Sequence, residues 1–281
     1  MHCPLHARGS RFPVEGQRGF TLVELVMVIV ILGIIGGVVA VFMQGPVNAY
    51  FATARRASLS DAADTAVQRI SLDVRQALPN SIRVTGTQCV DLIPVKATGL
   101  YRANGAGALT FAAPAGAFNM LGANSAGIAV NDLVVLDNTG NTGQDAYGGQ
   151  NVATISAVAD AGVTPPETTL TLTPATRFPG PPASKDFQVV SGSARVVSYA
   201  CTAQGTLVRA VNTSALAQNC LPGGGLAAGA VVNMLANNLT SCNFQYTSNP
   251  MSDGVLLVTM QMTNSTDSIS LQHQVHMNNT P

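Results

Sequence analysis

The side chains in this chain that could do chemistry fall into three groups. The first is the run Arg18-Gly19-Phe20-Thr21-Leu22-Val23-Glu24, where a carboxylate stands at the head of an apolar stretch. A carboxylate near the end of a membrane span is expensive to insert and calls for a partner. Left unpaired in a dry environment, it is costly to desolvate, and a cationic amine would neutralise it. The second group is cysteine: Cys89, Cys201, Cys220 and Cys242 are spread through the body, and Cys3 lies near the start. With no C-x-x-C among them, these four suit two disulfides better than zinc, which puts the body in an oxidising compartment. Their pairing stays open. Cys201 with Cys220 would close a short loop and leave Cys89 with Cys242, whereas Cys201 with Cys242 would tie two strands.

The third group is weaker. His273 and His276 are the only histidines after the first few residues, and their spacing puts them on opposite faces of a strand. His273 falls in line with Ile269, Leu271, Val275 and Met277 and reads as a core histidine. Asp132, Asp137, Asn138, Asn141 and Asp145 offer oxygen ligands, but their spacing is not that of a calcium-binding EF-hand, and a hydrated loop is the better reading. No P-loop, dinucleotide fingerprint, metal-binding helix or nucleophile elbow occurs. No general base stands beside a candidate nucleophile, so catalysis is not expected, and neither a cofactor nor a metal is called for. Lys plus Arg and Asp plus Glu each number 14, so the totals offer nothing to draw an acidic partner. Arg83, Lys96, Arg102, Arg177, Lys185, Arg195 and Arg209 are dispersed rather than gathered in a stripe, which disfavours nucleic acid.

Two kinds of element must position these groups. From Leu25 to Met43 no residue is charged, a length suited to crossing a bilayer as a helix. Arg8, Arg11 and Arg18 precede it against Glu15 alone, which holds that end in the cytoplasm and sends the body to the other side. The run is too long for an ordinary secretory signal, and Val38-Val39-Ala40 is a poor cleavage site. A plain anchor leaves Glu24 unexplained. Gly45-Pro46 is expected to kink or loosen the helix. Beyond it Leu59, Ala63, Ala66, Val67, Ile70, Val74 and Leu78 recur at helical spacing, so an amphipathic helix should follow and end at Pro79-Asn80.

After Leu78 the period shortens. Strands are expected over Ser81–Thr85, Val90–Val95, Ala108–Ala112, Leu133–Asp137, Val152–Val158 and Thr168–Thr173. Others are expected over Phe187–Val190, Ala194–Ala200, Thr206–Val211, Cys242–Tyr246, Val255–Met262 and Ile269–Met277. Loops are expected at Asp137–Gly143 and Leu221–Gly225.

The string Arg18-Gly19-Phe20-Thr21-Leu22-Val23-Glu24-Leu25 resembles the prepilin cleavage motif of type IV pilins and type II secretion pseudopilins. The resemblance implies that a prepilin peptidase cuts between Gly19 and Phe20 and methylates the Phe20 amine, with Arg18 as the leader charge. Glu24 and the Phe20 amine of a neighbouring subunit would then pair during assembly. A leader of nineteen residues is long for the class; a start at Val14 would shorten it. The segments Ser198–Cys201, Gly205–Arg209, Leu235–Tyr246, Arg75–Ser81 and His273–Asn278 look like the heads of large minor pilins and pseudopilins.

The implied fold is α+β: a long N-terminal helix, half transmembrane and half amphipathic, packed on a mainly antiparallel β-sheet head. The expected divisions are a leader (1–19), a transmembrane or filament-core helix (20–45), an amphipathic helix (46–79) and a periplasmic head (80–281). The Pro-rich stretch 178–184 is a candidate break within the head. The expected partners are prepilin peptidase, other pilins through the N-terminal helix, inner-membrane lipid and an inner-membrane assembly platform. The function the resemblance implies is that of a minor pilin-like subunit that starts or caps a type IV pilus, with a minor pseudopilin of type II secretion and a tip adhesin or ligand-binding module as the alternatives.

Overall fold

A computed structural model describes residues 19–248, 253–264 and 267–280. The chain divides into two compact units between Thr53 and Ala54, while a single helix, α1 (Leu22–Arg75), contributes to both.

In the first unit α1 is apolar all round. Its most apolar 18-residue window has a mean hydropathy of 3.1, and none of that window is buried within the structure. The stretch Leu22–Met43 rises about 33 Å at 1.5 Å per residue, enough to cross a hydrocarbon layer of about 30 Å. A helix with no polar face has no water-stable orientation, so by length and composition this one suits lipid or other apolar helices. The loosening expected at Gly45-Pro46 does not interrupt it, since the helix runs on through Pro46. A proline removes one backbone bond of the ladder, and the turns on either side persist here.

In the second unit α1 changes character. Leu59, Ala63, Ala66, Val67, Ile70 and Val74 are buried on one face, and each Leu, Ile or Val so buried contributes roughly 1.5–3 kcal/mol. The helix stops at Arg75, three residues short of Leu78. There the Leu78 N–H bonds to Ile93 O at 2.7 Å, and the Val95 N–H bonds to Gln76 O at 2.9 Å. Leu78 is buried as its spacing predicts, but residues before proline favour extended backbone, and Gln76–Leu78 pair with strand residues instead.

The strands among the described residues follow in order. They are β1 (Arg83–Thr85), β2 (Cys89–Leu92), β3 (Val95–Leu100), β4 (Ala115–Leu121), β5 (Leu133–Val135), β6 (Val152–Asp160), β7 (Glu167–Thr176) and β8 (Asp186–Val190). Then come β9 (Val196–Cys201), β10 (Leu207–Asn212), β11 (Cys220–Leu221), β12 (Gly225–Leu226), β13 (Val231–Ala236), β14 (Leu239–Thr247), β15 (Asp253–Asn264) and β16 (Asp267–Asn278). One sheet runs β1-β2-β9-β10-β13, a second β14-β15-β16, a third β3-β8-β5-β6-β7-β4, and β11 pairs with β12 alone. The pairings are antiparallel.

The buried face of α1 shares one core with Val90, Tyr199 and Leu207 of the first sheet and Phe244, Met260 and Val275 of the second. The third sheet builds its own core, where Phe118 and Phe187 meet edge to face at 5.2 Å. The Pro-rich turn at 178–184 joins two strands of this same sheet, β7 and β8, with Phe178 buried beneath it.

One expected strand of the head is displaced, and others were not expected. Ala108–Ala112 is irregular and the strand lies at Ala115–Leu121, because the positive φ of Gly105 and Gly107 turns the chain just before the expected strand. The strands β3 and β13 and the small β11–β12 hairpin, the last two in a Gly- and Ala-rich stretch, lay outside the expected set, and β11 and β12 take the two ends of the loop expected at Leu221–Gly225.

Candidate functional site

The helix begins at Leu22, two residues past the Gly19–Phe20 bond. Thr21 precedes the first helical residue, and its hydroxyl accepts the Glu24 backbone N–H at 3.2 Å. This is the N-cap bond that satisfies one of the free donors of a first turn, and Thr21-x-x-Glu24 has the spacing of a capping box. Glu24 therefore lies in the first turn, where a negative charge meets the positive end of the helix dipole. Phe20 is 82% exposed and lies outside the helix. Arg18, the leader charge, lies outside the described residues, as do Arg8, Arg11 and Cys3. The capping threonine was a missed member of this site, although the T-x-x-E spacing is plain in the sequence.

Cutting the Gly19–Phe20 bond would create an amine just ahead of the capped turn. Glu24, at the head of an uncovered apolar helix, supplies a carboxylate of opposite charge. Two such helices laid side by side in lipid can pair the amine of one with the carboxylate of the other.

The second unit shows how the amphipathic half of α1 is held. Asp73 is buried and accepts from the Tyr199 hydroxyl at 2.7 Å and from Arg209 Nε at 2.7 Å. Arg69 approaches its other oxygen at 3.4 Å. Burial pushes the Tyr199 phenol well above its ordinary pKa, and the adjoining Asp73 carboxylate pushes it further. Burial works against the Arg209 charge, but Asp73 more than offsets it and raises its pKa. One turn inside the second unit, Arg55 and Arg56 converge on Asp267 at 2.9 and 3.0 Å. The hydrogen bond from Arg55, foremost, holds the Asp267 carboxyl below its ordinary value.

The cysteines form two pairs, Cys89–Cys220 and Cys201–Cys242, with Cα atoms 5.6 and 6.2 Å apart. Cys89–Cys220 ties β2 to β11, and Cys201–Cys242 joins the first sheet to the second. Beside the first pair Asp91, fully buried, accepts from Ser198 Oγ at 2.5 Å and from the N–H groups of Asn219 and Cys220 at 3.2 and 3.1 Å. Burial raises its pKa against the pull of those three bonds. Gly205 makes the β9–β10 turn with φ of +72°, and a Cβ there would meet Leu239 O at 2.7 Å, next to the strand that carries Cys242.

The remaining candidates are engaged structurally. His273 is half-buried with a ring nitrogen 3.1 Å from Ser71 Oγ on α1, and His276 is exposed. Asp132 accepts from Lys96 Nζ at 2.7 Å and from two backbone N–H groups; these bonds outweigh burial and lower its pKa. Asn138 bonds Pro79 O and the Ala146 N–H, while Asp145 caps the short 3₁₀ turn Ala146–Gly148 and meets Arg83. Asp137 accepts from Gln144, and Asn141 donates to the Thr139 hydroxyl. Among the described residues no group of three or more His, Cys, Asp or Glu is placed to hold a metal.

Residues 16–40 match the family described as the prokaryotic N-terminal methylation motif. The matched span contains Arg18, Gly19, Phe20, Thr21 and Glu24 and the apolar first part of α1. No curated protein and no solved structure matches the chain.

Proposed function

We propose that this chain, which its methylation motif marks as a type IV pilin-like protein processed by prepilin peptidase, is a minor subunit in the assembly of an MSHA-type pilus. Pilins are structural proteins without enzymatic activity, and they pass from the inner membrane into a filament. The observation that carries the reading is the capped first turn. It sets Glu24 at the head of an uncovered apolar helix, right after the Gly19–Phe20 bond.

The subunit waits in the inner membrane, with its N-terminus cytoplasmic and its head periplasmic. The cleaved, methylated Phe20 amine of one subunit pairs with Glu24 of its neighbour, so a subunit enters only when the stagger is right. The large head argues for a low-copy place, starting or capping the filament, rather than for a tightly repeated shaft. The segments Ser198–Cys201, Gly205–Arg209 and Leu235–Tyr246 resemble the head of MshO, a minor pilin-like component of mannose-sensitive haemagglutinin pilus biogenesis. They fall on β9, β10, β13 and β14 around the Cys201–Cys242 disulfide. Besides the peptidase, its partners are other pilins, the inner-membrane assembly platform and the lipid itself.

Deleting the gene and counting pili beside an assay of protein secretion tests this. The expected result is few or no pili with secretion intact. Normal pili with secretion lost would assign the chain to a type II secretion pseudopilus instead.

A further inference from the structure

We infer that β13 is a self-association edge through which two copies of this chain pair antiparallel. Among the described residues the strand Val231-Val232-Asn233-Met234-Leu235-Ala236 closes the first sheet and is bonded to β10 on one side only. An edge strand carries a row of unpaired backbone donors and acceptors on its outer side, and another strand is what satisfies them. Such edges are ordinarily blunted by charge, proline or polar side chains. Here Val231, Val232 and Met234 are 57, 50 and 63% exposed. Successive side chains point to opposite faces of a sheet, so apolar surface is uncovered on both.

The sequence of the strand identifies the occupant. About Asn233 its side-chain character is symmetric, though its residues are not identical: apolar Val232 answers apolar Met234, and apolar Val231 answers apolar Leu235. Pairing about a two-fold axis at Asn233 therefore sets Val232 against Met234 of the second copy, and Val231 against its Leu235. The Asn233 amides meet on the axis. Each contact is apolar on apolar or amide on amide, the cross-strand matches that stabilise a sheet. A two-fold interface uses one patch twice, and no like charges oppose each other here, because no Asp, Glu, Lys, Arg or His lies between Arg209 and Asp253. Screening acts on charges, so the pairing should be insensitive to salt. The inference rests on the head alone, independent of which filament the subunit serves.

Cysteine cross-linking of the full-length protein in its native membrane tests it. Residues directly opposite in an antiparallel pair bring their Cβ atoms to about 4.5–5.5 Å. Asn233→Cys is therefore expected to give a covalent dimer under mild oxidation, seen on a non-reducing gel. Gln245→Cys, exposed on β14, is the control and should stay monomeric. Adding Val232→Lys to Asn233→Cys should cut the dimer at least about tenfold, since two buried lysines would face apolar neighbours. A dimer yield for Asn233→Cys no higher than the control would overturn the inference. So would a yield that Val232→Lys leaves unchanged, because contact through α1 alone gives that result.

Discussion

The two parts of α1 are one helix in two solvents. From Leu22 to Tyr50 every residue is exposed and almost every side chain is apolar; from Leu59 to Val74 a single stripe is apolar and buried. The second part carries its cover with it, as two β-sheets and the Asp73 lock. The first part has no cover of its own and must find it in lipid or in other helices. Stability should therefore be decided in the second part and assembly in the first, and variants in one should leave the other's readout untouched.

Glu24→Val is the largest expected effect. Cleavage and methylation should continue, while incorporation into filaments is lost. The denaturation midpoint of the head should be unchanged. Asp73→Ala should do the reverse, costing about 3–5 kcal/mol of head stability, the penalty for breaking a buried charged network from one side. Chemical denaturation of the full chain in detergent would measure it, and a loss below about 1 kcal/mol would mean the lock is ornamental. Within this network Tyr199 has a pKa raised above 10.0, so its contribution is fully present below that value and is lost as pH rises through the folded pKa. Stability should accordingly fall in the alkaline range, and Tyr199→Phe should flatten that fall.

Two smaller effects follow, one in each part. Thr21→Ala should cost about 1 kcal/mol by the loss of a cap. It should speed hydrogen exchange at Leu22–Leu25 without moving the melting of the head. Asp267 has a pKa lowered from 3.8, so its pairing with Arg55 and Arg56 stabilises above that value and is lost as pH falls through the folded pKa. Asp267→Asn should remove that acid-side dependence with little change at neutral pH, because Arg55 and Arg56 are 39 and 64% exposed. Thermal melts at several pH values would show both.

The same contrast explains what the sequence made legible. The apolar run and the stripe from Leu59 to Leu78 are periodic over many residues, so helix and buried face could be read directly. The end at Arg75 could not, because it depends on Gln76 and Leu78 finding Ile93 and Val95 across the fold. β13 escaped notice because Val231–Ala236 follows a glycine- and alanine-rich loop, and its apolar residues do not alternate with polar ones. At the N-terminus the out-of-place carboxylate drew attention to Glu24, and the resemblance of Arg18–Leu25 to the prepilin motif singled out Gly19 and Phe20. Two disulfides among these four cysteines were expected, with Cys201–Cys242 as one of the alternatives, but the choice between pairings was not legible. Cys89 meets Cys220 where Asp91 on β2 accepts the Cys220 N–H of the distant β11 segment, a contact that no spacing rule encodes.

The most direct test of the account is mass spectrometry of the N-terminal peptide from sheared surface filaments and from membranes, for the wild type and for Glu24→Val. The account predicts a peptide beginning at N-methylated Phe20 in both wild-type fractions. For Glu24→Val it predicts that peptide in the membrane alone. A chain that keeps residues upstream of Phe20 in both fractions would contradict it, and so would a Glu24→Val chain recovered from filaments as abundantly as the wild type.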